Sequence, residues 1–65
     1  MQYKEFKISA FEREPGKWLA SIKRVDGRSI TCQGTTLPFF TTAETTTAEY
    51  AIDLAKGAID QGYLN

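Results

Sequence analysis

Two stretches of strict apolar alternation constrain this chain more than anything else in it. Phe6, Ile8 and Ala10 fall at every second position of Gln2–Glu12, and Trp18, Ala20 and Ile22 do the same in Lys17–Val25. A period of two with one apolar side is the pattern of a half-buried strand, and two such runs in succession make a hairpin. Glu14-Pro15-Gly16-Lys17 separates them, and proline with glycine is a turn with a mechanism, because one fixes φ and the other accepts φ > 0. Ile8 is expected opposite Ile22 and Ala10 opposite Ala20, which requires an odd-numbered connection around Pro15-Gly16.

Asp26-Gly27 ends the second strand and opens a third, Arg28 to about Gln33. A two-residue loop would put Ile30 and Cys32 opposite Lys23 and Ser21. A three-residue loop, Val25-Asp26-Gly27 with Gly27 left-handed, puts Ile30 opposite Ile22 and Cys32 opposite Ala20. The apolar set favours the longer loop. Gly34–Phe40 is either a short fourth strand at an edge, where Pro38 is tolerated, or a loop that plugs the core with Leu37 and one phenylalanine.

Ala48, Ala51, Ile52, Ala55, Ala58 and Ile59 recur at spacings of three and four, the signature of one helix face. Thr41-Thr42-Ala43-Glu44 has capping-box spacing, so the helix is expected to start at Thr41 or Thr42 and run 18–20 residues, with Gly62 as its C-terminal cap. Gly57 interrupts it at a cost of about 1 kcal/mol relative to alanine. Together these elements predict an α+β fold, βββα: a three-stranded antiparallel meander with a possible short fourth strand and one C-terminal helix packed on one face.

Sixty-five residues make a single domain, residues 1–65. Such a chain has little core to spare. Cys32 is the lone cysteine and histidine is absent. An intrachain disulfide is therefore impossible, a reducing, cytoplasmic setting is expected, and neither a metal centre nor a cofactor is expected. Without histidine, and with Cys32 expected in the core, no nucleophile–base pair suggests itself. The carboxylates Glu49, Asp53 and Asp60 read as a solvated helix face, and Gln33-Gly34-Thr35-Thr36 lacks the lysine of a phosphate loop. The chain is not expected to be an enzyme. No apolar run approaches the roughly 20 residues that cross a bilayer, and no signal-like segment opens the chain.

Charge is unevenly divided although it sums to zero. Residues 1–30 hold seven bases against four acids, net +3, and residues 31–65 hold Lys56 against four acids, net −3. Such polarity bears on partners rather than on fold. The parity of the strands turns Tyr3, Phe11, Leu19 and Val25 away from the helix, where they would form an apolar interface for a homodimer or another protein. Lys7, Arg13, Lys17 and Lys23 share that face, so the alternative is a weak nucleic-acid surface of aromatics among bases.

The strand–strand–strand–helix order, with Cys32-Gln33-Gly34-Thr35 closing the third strand and small residues at Ala48, Ala51 and Ala55, resembles the HicB-like antitoxin fold and short bacterial proteins of the same pattern. Residues Leu37–Thr46 are an insertion relative to that pattern. The resemblance implies toxin neutralisation, without a separate DNA-binding segment.

Overall fold

The computed structural model describes residues 1–64. The architecture is α+β: an antiparallel sheet with one C-terminal helix across one face, joined by a separate small hairpin. In chain order the elements are β1 (Gln2–Tyr3), β2 (Phe6–Glu14), β3 (Lys17–Arg24), β4 (Ile30–Cys32), β5 (Thr35–Leu37), β6 (Phe40–Thr41) and α1 (Ala48–Asp60). The main sheet has the order β1-β2-β3-β6, and β4 and β5 form a separate two-stranded sheet.

The central hairpin has the expected register, with Ile8 opposite Ile22 and Ala10 opposite Ala20. The odd-numbered connection arises from a tight turn at Pro15-Gly16, which pairs Glu14 with Lys17, plus a bulge that leaves Arg13 unpaired. Ile8, Ile22 and Ile30 are fully buried, each worth about 1.5–3 kcal/mol relative to exposure. With Phe6, Ala20, Ala51, Ala55, Ile59 and Leu64 they form the core, and Trp18, Phe40 and Ile52 pack around it.

The N-terminal strand departs from the expected alternation. Lys4 takes φ +56° and the chain folds back, so that Tyr3 lies directly opposite Phe6. Opposite residues share a face. Tyr3 therefore sits on the helix side, packed against the core, rather than on the outer face.

The third strand also differs. Gly27 is left-handed as expected, at φ +78°, but the chain then leaves the sheet. Ile30–Cys32 turns back on Thr35–Leu37 through Gln33-Gly34, both at positive φ (+51° and +83°). This is the two-residue hairpin geometry that favours glycine and asparagine. Ile30 and Cys32 still face the core, but opposite Leu37 and Thr35. The place beside β3 is filled by Phe40 and Thr41, opposite Ile22 and Ser21. The fourth strand of the main sheet thus begins after Pro38, and Phe40 is the phenylalanine that meets the core.

The helix is shorter than the threonine-rich run suggested. Thr47 is the N-cap and its side chain accepts from the Tyr50 N–H. Thr41 belongs to β6, as suits a β-branched residue, and Thr42 follows it along β3, its hydroxyl accepting from the Ala20 N–H. At the other end Gly62 N–H donates to Ile59 and Tyr63 N–H to Ala58, a complete Schellman cap. The cap returns the chain to the body of the fold, where Leu64 is buried and bridges Cys32. A Cβ added at Gly57 would meet nothing within 4 Å, so close backbone packing within the chain does not account for this glycine.

Candidate functional site

The outer face of the sheet is ordered in rows, because residues directly opposite on antiparallel strands stand side by side. Gln2, Lys7 and Lys23 form one row, Ser9, Ser21 and Thr41 the next, and Phe11 with Leu19 a third. Successive rows are about 6.8 Å apart along the strands.

The four residues expected to make an apolar interface do not come together. Tyr3 lies on the helix side. Leu19 is on the outer face but only 8% exposed. Its strand is flanked by β2 on one side and by residues 42–45 on the other, which bond to Ala20 and Trp18. Phe11 and Val25 are exposed, at 41% and 50%, but lie towards opposite ends of the face. Only Phe11 is left as an aromatic contact on the sheet.

The four bases also separate. Lys17 is tied to Glu14 at 3.2 Å and Glu44 at 3.9 Å. Arg13 is exposed at the bulge. Lys7 and Lys23 face each other in register, and neither has an ion-pair partner among the described residues. With Ser9 and Ser21 they line a hollow of about 300 Å³.

A second hollow, of about 310 Å³, lies at the turn end of the sheet between Gln2, Lys4, Glu5, Arg24, Val25 and Asp26. Its charges are matched internally. Arg24 bonds Asp26 at 3.2 Å and approaches Glu5 at 3.7 Å. The Arg28 N–H and the Arg24 guanidinium hold the Asp26 carboxyl below the usual carboxylate value.

On the helix side, Asp60 accepts from the Lys4 ammonium and from the Tyr3 hydroxyl. These bonds, Lys4 first, hold its carboxyl below the usual value. The same contact raises the Tyr3 phenol and the Lys4 ammonium. Lys4 and Lys56 both stand 5.4 Å from the Tyr3 ring centre. The cluster ties the first hairpin to the end of α1. An acid in the last turn faces the unfavourable end of the helix dipole, and the cations offset this. Sequence spacing gave no sign of it, because 57 residues separate Tyr3 from Asp60.

Cys32 is half-buried and free. Among the described residues there is no group of three or more metal-ligating side chains, and no helix is long and apolar enough to cross a membrane. No family model, curated protein or solved structure matches the chain.

One feature escaped sequence reasoning because it belongs to the main chain. Ile8 exchanges hydrogen bonds with Met1 on the side away from β3, both at 2.7 Å. Even-numbered residues of β2 therefore aim their main-chain groups at the β1 side. Among the described residues none pairs with β2 beyond Ile8 on that side, so Ala10 and Glu12 present N–H and C=O groups to an open edge, beside exposed Phe11.

Proposed function

We propose that the chain is a non-catalytic interaction module, working in a reducing cytoplasmic setting, that associates with a second copy of itself through the open edge of β2. The observation that carries this reading is the pair of unmet main-chain positions at Ala10 and Glu12, next to an aromatic ring that the fold leaves uncovered. An open edge is a template for another strand.

A twofold axis through Phe11 gives the best register. Ala10 then pairs with Glu12 of the second copy, and Glu12 with Ala10, for four main-chain hydrogen bonds. Phe11 meets its own copy as a non-hydrogen-bonded pair, where side chains stand closest. Moving the axis to Glu12 would set two carboxylates opposite each other. Moving it to Ala10 would require Ile8, whose groups Met1 already occupies. The Arg13 bulge and Pro15 limit the open stretch, so the contact is short and the dimer weak.

Sedimentation across a concentration series tests this. Wild type is expected to move from monomer towards dimer as concentration rises. Phe11→Lys, which sets two ammonium groups at the axis, is expected to stay monomeric with an unchanged far-ultraviolet spectrum. A wild type that is monomeric throughout the series, or a Phe11→Lys variant that dimerises equally well, would overturn the proposal.

A further inference from the structure

We propose that the hollow bounded by Lys7, Ser9, Ser21 and Lys23 binds the phosphates of single-stranded nucleic acid. The starting observation is an electrostatic arrangement that nothing among the described residues balances. Lys7 and Lys23 are direct cross-strand neighbours, and like charges so placed repel. Lys4, Lys17, Arg24 and Arg28 each have a carboxylate within 4.0 Å, whereas Lys7 and Lys23, like Arg13 at the bulge, have none among the described residues. An anion seated between them would turn the repulsion into attraction.

The neighbouring row supplies neutral donors. Ser9 and Ser21 are also directly opposite, and neither hydroxyl bonds another group among the described residues. Two ammonium groups and two hydroxyls around a hollow of about 300 Å³ suit a tetrahedral oxyanion.

Three features favour a strand of phosphates over a lone ion. The hollow is open and lies over paired strands, between Lys7, Ser9, Ser21 and Lys23. Main-chain N–H groups, which hold isolated phosphates at nests and helix starts, are here committed to the ladder. Affinity must then come from repetition along a chain. The next row, about 6.8 Å further on, offers Phe11, 41% exposed, as a surface on which a base can stack. The exposed acids Glu49 and Asp53 lie on the helix, across the sheet from this face, so a polyanion is steered to the sheet side. The site lies within one protomer and does not require the edges to pair.

The probe is a labelled oligothymidylate of about twelve nucleotides, followed by fluorescence anisotropy from about 50 to 200 mM salt. Wild type is expected to bind, with affinity that weakens as salt rises. In the Lys7→Gln/Lys23→Gln double variant the logarithmic salt slope is expected to shrink by about 1.4, for two phosphate contacts to a single strand. Phe11→Ala is expected to lose about tenfold in affinity. Lys17→Gln, already satisfied by two carboxylates, is expected to leave binding unchanged. Ser9→Ala/Ser21→Ala, which keeps both charges, provides a second route should the double lysine variant unfold, and is expected to weaken binding.

Absence of binding by wild type would overturn the proposal, as would an unchanged salt slope in a folded double variant. So would displacement of the probe by polyglutamate, or by inorganic phosphate at matched phosphate concentration, as readily as by unlabelled oligothymidylate. Sedimentation of the same samples keeps this result distinct from self-association: a monomer that binds the probe supports the site whatever becomes of the edge.

Discussion

Thr42 completes the hydrogen-bond ladder for Ala20 with its side chain. Its N–H donates to the Ala20 carbonyl at 2.9 Å, and its hydroxyl oxygen accepts from the Ala20 N–H at 3.0 Å. Both residues are buried, at 7% and 0% exposure. In a regular pair a carbonyl would accept that bond, and here a hydroxyl takes its place. Thr42→Val keeps the shape and removes the acceptor, leaving a buried N–H unmet, which costs about 1–3 kcal/mol. Urea unfolding is expected to show this loss, with no comparable change for Thr46→Val at an exposed position.

Gly57→Ala is expected to stabilise the protein by up to about 1 kcal/mol, because the helix gains a better former. A Cβ there touches nothing within 4 Å. For a domain of this size the melting temperature should rise by roughly 4–8 °C per kcal/mol. A lower melting temperature would show that a substitution at this position disturbs the helix.

Asp60 gives the fold a dependence on acid. Its folded carboxyl lies below the unfolded value of about 3.9 because Lys4 and Tyr3 bond the charged form. A depressed acid contributes stability above the unfolded value and loses it as pH falls through the folded one. Asp60→Asn is expected to lower the melting temperature at neutral pH. It is also expected to narrow the difference between melting at neutral pH and at about pH 3. Equal acid sensitivity in wild type and variant would remove Asp60 as a source.

Gln33 occupies a left-handed position, φ +51°, in the turn joining β4 and β5. Gln33→Asn places there a residue that tolerates this conformation, and the melting temperature is expected to rise slightly. Gly62→Ala is expected to act in the opposite sense, by roughly 1 kcal/mol, because the helix cap requires φ near its observed +78°.

How much of this was legible in the sequence depended on what each signal encodes. Alternation encodes faces, and the faces of β2 and β3 were read correctly from Phe6 to Ile22. Alternation does not encode partners. Ile30 and Cys32 were placed on the core side, yet their hydrogen bonds go to Leu37 and Thr35. Tyr3 was lost because the turn at Lys4-Glu5 contains no glycine, proline, asparagine or aspartate to announce it. The helix start was misread because a run of threonines offers several caps, and only the fold decides that Thr42 serves a strand and Thr47 serves the helix. The Lys7–Lys23 row was legible once the hairpin register was known. The Tyr3–Lys4–Asp60 cluster and the open β2 edge were not, since each needs coordinates.

The pairing of Met1 with Ile8 has a practical consequence for anyone preparing this protein. A peptide fused ahead of Met1 would continue antiparallel along β2, its first residues passing Ser9 and then Ala10. An amino-terminal purification tag would thus lie down on the strand whose unmet groups are of interest and act as an internal competitor for them. Material for mass measurements should carry its tag after Asn65, or none at all.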